Sequence, residues 1–260
     1  MPAIKHMAIC TNNNRRLARF YQLILGMEEV WNAEENSPYP FYVTDGYFNL
    51  NCLQIYPALA EEKREVGINH YGFKIEDLTE IEKRLADLDP PIRLTSRPRD
   101  GRYTEFRIRD PDGNGVDITE KGWGSERERR LPAIRHVGIG TGDPNRLAEF
   151  YKFVFSMKKE VERIEIPTTG TSAIYLSDGI INLGLIKNSP VPKPGIQLLG
   201  IQVQSVSEIE ERLKRPYGLT YRGEPPLEIR HRHSESPYKN IWLKDPDGNC
   251  VDLSEEGWKV

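Results

Sequence analysis

This chain is written twice. Ile4-Lys5-His6-Met7-Ala8-Ile9 returns as Ile134-Arg135-His136-Val137-Gly138-Ile139, and Arg16-Leu17-Ala18-Arg19-Phe20-Tyr21 returns as Arg146-Leu147-Ala148-Glu149-Phe150-Tyr151, both 130 positions on. Asp110-Pro111-Asp112-Gly113-Asn114 returns at Asp245-Pro246-Asp247-Gly248-Asn249, and each copy closes on Gly-Trp, at Gly122-Trp123 and Gly257-Trp258. A period this long marks a duplicated domain, because solenoid units run to about 20–50 residues. The copies also control for one another: a polar residue kept in one and replaced in the other is not required by the fold.

The division falls near Gly124–Pro132, giving domains over 1–124 and 132–260. The stretch Gly124-Ser125-Glu126-Arg127-Glu128-Arg129-Arg130-Leu131 is charged and poor in apolar residues, as an exposed connection should be. Each half has about 125 residues, enough for a core without disulfides. A formal net charge of -3 over 260 residues supplies no basic field, so neither nucleic acid nor a membrane surface is an expected partner. The first strand begins directly after Met1-Pro2 and no apolar stretch is long enough to span a bilayer, so a cytoplasmic location is expected. The three cysteines, Cys10, Cys52 and Cys250, fit no metal-knuckle spacing and read as reduced core side chains.

Within the first half the pattern divides again. Lys5–Cys10 reads as a strand; Asn12–Asn14 offer helix caps, and Leu17, Phe20, Tyr21 and Ile24 fall at helical spacing before Gly26. Strands are predicted at Glu28–Asn32, Phe41–Thr44 and Tyr47–Tyr56, the last two joined by a two-residue Asp45-Gly46 hairpin. The order then restarts: strand Ile68–Ile75, a helix marked by Leu78, Ile81, Leu85 and Leu88, and strands Arg93–Arg97, Glu105–Arg109 and Gly115–Thr119. The second half follows, with helices marked by Leu147, Phe150, Tyr151 and Val154 and by Val206, Ile209 and Leu213.

Paired βαβββ units, a strand histidine, Phe-Tyr on the helix and an Asp-Pro-Asp-Gly-Asn turn before the last strand resemble the vicinal oxygen chelate superfamily. That superfamily includes glyoxalase I, extradiol ring-cleaving dioxygenases, methylmalonyl-CoA epimerase and the bleomycin- and fosfomycin-resistance proteins. The resemblance covers nearly the whole chain. It implies an α+β fold of two tandem domains, each built of two βαβββ modules that form a curved eight-stranded cup. Fold alone does not set the chemistry.

In the superfamily, metal ligands come from the first and last strands of each module. Carried onto this sequence, those positions are His6, Asn49, His70 and Asp117. Two imidazoles and a carboxylate make a non-haem iron(II) set, so a divalent metal is expected at His6, His70 and Asp117, iron(II) foremost, with manganese, nickel or zinc able to use the same donors. Aspartate stands where the superfamily usually has glutamate. Tyr47, Asn49 and Asn51 share one strand face, and Tyr103, Glu105 and Arg107 share another; Asn49, Tyr103 and Arg107 are expected to orient substrate, Arg107 by gripping a carboxylate or phosphate. In the second half His136, Asn182 and Asp252 recur. Aligning Gly67 with Gly195 and Gly72 with Gly200 puts Leu198 opposite His70, so the second site is expected to be degenerate. His233, in Ile229-Arg230-His231-Arg232-His233-Ser234, loosely resembles the acid–base histidine of extradiol enzymes, although a surface stretch of solvated histidines explains it equally.

The leading expectation is a metal-dependent, extradiol-type or related dioxygenase acting on a small oxygenated substrate that is anionic if Arg107 binds it. A glyoxalase-like lyase or isomerase is one alternative, although the amide of Asn49 cannot abstract a proton at neutral pH. A metal-free small-molecule-binding protein of the resistance type is the other. The resemblance allows a homodimer, although four modules in one chain can pair internally.

Overall fold

The computed structural model describes residues 1–31, 41–56, 65–97, 105–124, 130–157, 159–168, 170–187, 194–214, 229–231 and 241–260. The first module runs β1 (Ala3–Thr11), α1 (Asn14–Leu23), β2 (Glu28–Trp31), β3 (Phe41–Thr44) and β4 (Asn49–Gln54). The second is β5 (Gly67–Lys74), α2 (Leu78–Ala86), β6 (Thr95–Ser96), β7 (Phe106–Arg109) and β8 (Gly115–Thr119). The other half repeats the order. Its third module has β9 (Ala133–Gly140), α3 (Pro144–Phe155), β10 (Lys159–Ile166), β11 (Thr171–Ser177) and β12 (Asn182–Lys187). The fourth has β13 (Gly195–Gln202), α4 (Val206–Lys214), β14 (Ile229–His231), β15 (Ile241–Lys244) and β16 (Cys250–Ser254).

Each half forms one open, curved sheet of eight strands, ordered β2-β3-β4-β1-β5-β8-β7-β6 and β10-β11-β12-β9-β13-β16-β15-β14. The first strands of paired modules lie antiparallel at the centre (β1 beside β5, β9 beside β13), and each first strand is parallel to its own module's last. No helix among the described residues is long and apolar enough to cross a membrane.

The helices form for local reasons and are held by burial. Asn13 caps α1 by accepting from Arg16 N, and Leu17, Ala18, Phe20 and Tyr21 bury one stripe against β3 and β4. In α3 Asp143 caps, Pro144 supplies the first-turn φ, and Ser156 closes the helix in the left-handed region.

One turn differs from expectation. Thr44 pairs with Asn49, so the β3–β4 loop is four residues rather than two. The Asp45 carboxylate makes the longer loop self-sufficient, accepting from Tyr47 N at 2.8 Å and Phe48 N at 2.6 Å. Its other oxygen accepts from Ile134 N of the second half at 2.7 Å, and Asp178 returns the contact to Ile4 N at 2.7 Å.

The repeated motifs interlock across the halves in the same reciprocal way. Tyr151 of α3 donates to Asp110 at 2.6 Å, and Tyr21 of α1 donates to Asp245 at 3.1 Å. Arg16 pairs with Asp247 at 2.6 Å and Arg146 with Asp112. One buried apolar cluster continues through both halves, with Phe73 stacked on Phe155 at 3.9 Å between ring centroids. Cys10 and Cys52 are buried in it or beside it, Cys250 is half-buried, and none of the three forms a disulfide.

Candidate metal centre

The sheet places the site by register. Asn49, His6, Gly72, Asp117 and Arg107 are mutual partners along one row across β4, β1, β5, β8 and β7. Two residues along, with the same side-chain parity, runs Asn51, Ala8, His70 and Gly115. His6, His70 and Asp117 therefore emerge on one face from the three central strands. Their ligand-type atoms all lie within 4.8 Å of one another, and all three residues are buried.

Each imidazole has an amide neighbour at Nδ1. His6 Nδ1 lies 3.0 Å from Asn49 Oδ1, and His70 Nδ1 lies 2.8 Å from Asn69 Oδ1. When Nδ1 donates to the amide oxygen, Nε2 keeps the lone pair a metal ligand needs. Burial, with His70 beside it, pushes the His6 imidazole down to about 3; burial also lowers His70, although Asp117 pulls the other way. Both are neutral at pH 7. Burial alone would raise Asp117, but His70 and Arg107 beside it hold its carboxyl well below the usual carboxylate range.

His70 Nε2 faces Asp117 Oδ2 at 3.2 Å, the place of a shared proton in the metal-free protein and of a cation when one is bound. Two neutral imidazoles and an ionised carboxylate, closely set, suit a divalent transition ion. The donor set fits a metal.

Asn49 and Arg107, expected to meet substrate, are bonded to the triad itself. Asn49 Oδ1 takes the His6 hydrogen, and Arg107 Nε donates to Asp117 Oδ1. Tyr103 and His233 lie outside the described residues. His231 sits on the exposed strand β14, paired with Glu210 at 2.9 Å.

The second cup repeats the row as Asn182, His136, Gly200, Asp252 and Trp242. His136 keeps its amide contact, to Asn182 at 2.7 Å. Leu198 pairs with Gly138 where His70 pairs with Ala8, and its side chain occupies the space a Cβ at Gly138 would need. Trp242 replaces Arg107. Among the described residues only the first cup assembles three potential ligands.

One contributor was missed from sequence although its signal was noted. Trp123 stacks on His6 with ring centroids 4.7 Å apart and planes 7° from parallel, and Trp258 does the same for His136 at 5.3 Å. Both come from the repeated Gly-Trp closings. A Cβ at Gly72 would stand 2.6 Å from Trp123 Cη2, so this position has to lack one. Gly72→Ala is expected to push Trp123 off the imidazole and destabilise the protein by about 1–3 kcal/mol, the usual cost of overpacking. Thermal unfolding followed by tryptophan fluorescence measures it.

The profile of the Glyoxalase/Bleomycin resistance protein/Dioxygenase superfamily matches residues 3–118 and 133–253. The chain belongs to this superfamily. Its two matched segments coincide with the two sheets. No curated protein matches the chain by sequence. Solved structures sharing the superfamily fold include the 2,3-dioxygenase LapB from Pseudomonas sp. KL28, at 16% identity and TM-score 0.69, covering 98% of this chain and 92% of that one. An extradiol ring-cleaving dioxygenase from B. fuscum aligns at 14% identity and TM-score 0.67 over 98% of this chain and 72% of its own. The 2,2',3-trihydroxybiphenyl 1,2-dioxygenase from Sphingomonas wittichii strain RW1 aligns at 13% identity and TM-score 0.66, covering 96% and 89%. At these identities the likeness is one of fold.

Proposed function

We propose that the first half of this superfamily member holds a single divalent metal, iron(II), on His6, His70 and Asp117. The reaction we assign to it is extradiol-type or related oxygenation of a small substrate that chelates through vicinal oxygens. The convergence of His6, His70 and Asp117, whose ligand-type atoms lie within 4.8 Å of one another, carries the reading. Two histidines with one carboxylate is the donor set of non-haem iron(II) oxygenases, which leave open positions for dioxygen and substrate. The dioxygenase names among the solved structures of like fold point the same way.

Around that centre the chain's own residues have separate tasks. Asn49 and Asn69 fix the imidazole tautomers, and Trp123 holds the plane of His6. Arg107 steadies Asp117. His6 and Asp117 are only 2% and 1% exposed, so the site excludes bulk water. Lyase chemistry is disfavoured because Asn49, an amide, stands where a basic fourth residue would be needed.

One observation favours a metal-free binding protein instead: Arg107 already supplies Asp117 with a countercharge. Elemental analysis separates the two readings. About one equivalent of iron per chain, with oxygen consumption on a panel of catechols, is expected. Metal-free protein after reconstitution, or isomerisation of hemithioacetals without oxygen uptake, overturns the assignment.

A further inference from the structure

We propose that Arg107 is a specificity-determining residue, selecting substrates that carry an anionic group, a carboxylate above all, beside their two chelating oxygens. The inference rests on the metal-centre reading above and extends it to substrate class.

The first observation is an unused donor. Arg107 Nε is committed to Asp117 Oδ1, and Asp117 Oδ2 faces His70 rather than completing a fork with the guanidinium. Arg107 Nη2 is buried and has no hydrogen-bond partner among the described residues. A buried guanidinium nitrogen left unpaired is costly, and a planar carboxylate is its natural complement. Asn49 Nδ2 is a second buried donor with no partner there.

The duplicate cup supplies the control. Trp242 stands at the Arg107 position, and Asn182 Nδ2 donates to Lys259 O at 2.9 Å. Where the triad is lost, one donor is gone and the other is satisfied. At these two positions the leftover donors belong to the cup that keeps its ligands, whereas the second cup's buried donor without a partner among the described residues is the Trp258 indole.

Charge gives the same answer. Asp117 acts on His70 as an anion, against the cations Arg107 and Arg97. A divalent ion on this set raises the surplus by two. Two chelating oxygens that lose one or two protons leave positive charge over, and a substrate carboxylate removes it.

The experiment uses the full chain, zinc-loaded so that no redox chemistry intervenes, and in parallel metal-free. Calorimetric titration compares 3,4-dihydroxybenzoate with 3,4-dihydroxybenzyl alcohol, which has the same ring hydroxyls and no carboxylate. Wild type is expected to bind the benzoate at least about tenfold more tightly, a modest yield for a charge-assisted contact. In R107M, compared at zinc concentrations that fill the site of each protein, that ratio is expected to collapse to within about twofold, while R107K, which keeps the charge, retains most of it. A wild type indifferent to the carboxylate overturns the inference without any variant, as does an R107M that keeps the full ratio. Zinc uptake without carboxylate preference leaves the metal centre standing and removes Arg107 from it. Carboxylate preference without zinc uptake does the reverse, making Arg107 the anion site of a metal-free binding protein.

Discussion

His70→Ala is expected to strip the transition metal from the protein, from about one equivalent per chain to near none after dialysis. His136→Ala, at the matching place in the other half, is expected to leave the content unchanged. The first variant removes one of three ligands and also the ring nitrogen that faces Asp117 Oδ2, freeing that oxygen to complete a fork with Arg107. Removing only an outer-shell partner of a ligand costs about 10–100-fold in metal affinity, so losing the ligand itself should cost ~100-fold or more. The second variant removes a histidine whose cup has Leu198 for a third ligand and Trp242 beside Asp252. Elemental analysis of both variants against wild type decides it. Metal retained by His70→Ala would put the centre elsewhere; metal lost equally from both would mean that the two cups are not different in kind.

The same comparison shows where sequence suffices. Periodicity and turn residues located the elements because they are local: Phe41–Thr44 and Gly115–Thr119 are strands over the predicted residues. Glycine spacing was enough to set Leu198 opposite His70, since the Gly67/Gly195 and Gly72/Gly200 pairs bracket a strand of fixed pleat. The Asp45 loop was misjudged because Asp-Gly signals a tight hairpin only when the aspartate side chain is not itself bonding the loop's amides. Contacts across the halves were out of reach. The Arg-Leu-Ala and Asp-Pro-Asp-Gly-Asn motifs were both visible as repeats, but nothing local says that Tyr151 meets Asp110 while Tyr21 meets Asp245. Arg107 was placed on the right face, whereas its bond to Asp117 depends on a cross-strand register. Trp123 was legible only as a repeated word. Its stacking on His6 needs Gly72 to lack a side chain, and that follows from the packing of three separate segments.

The neutral state of His6 carries a pH dependence of its own. In the unfolded chain an imidazole titrates near its ordinary 6.5, but in the folded protein burial and His70 hold His6 down to about 3. Between those values the unfolded chain binds a proton that the native state refuses. The stability tied to His6 is therefore complete above pH 6.5 and is lost as the pH falls toward 3, at about 1.4 kcal/mol per pH unit. Over three units that is about 4 kcal/mol, a large part of what holds a typical domain together. His70 is lowered in the same direction and adds to the loss, and Asp117, depressed below 3.8, extends it further into acid. Asp245 opposes them. Burial raises it to about 6, so below that value the native state takes up a proton before the unfolded chain does and gains stability as the pH falls to 3.8. The wild-type curve alone is thus a sum of opposed slopes, and the informative quantity is its difference from His6→Gln. Glutamine cannot titrate, so whatever it costs in stacking on Trp123 shifts the whole curve without tilting it. Urea unfolding of metal-free protein at pH 6, 5 and 4 is expected to show wild type losing about 1.4 kcal/mol more per unit than the variant. Parallel curves would mean that His6 accepts its proton normally in the folded protein and that burial does not hold it neutral.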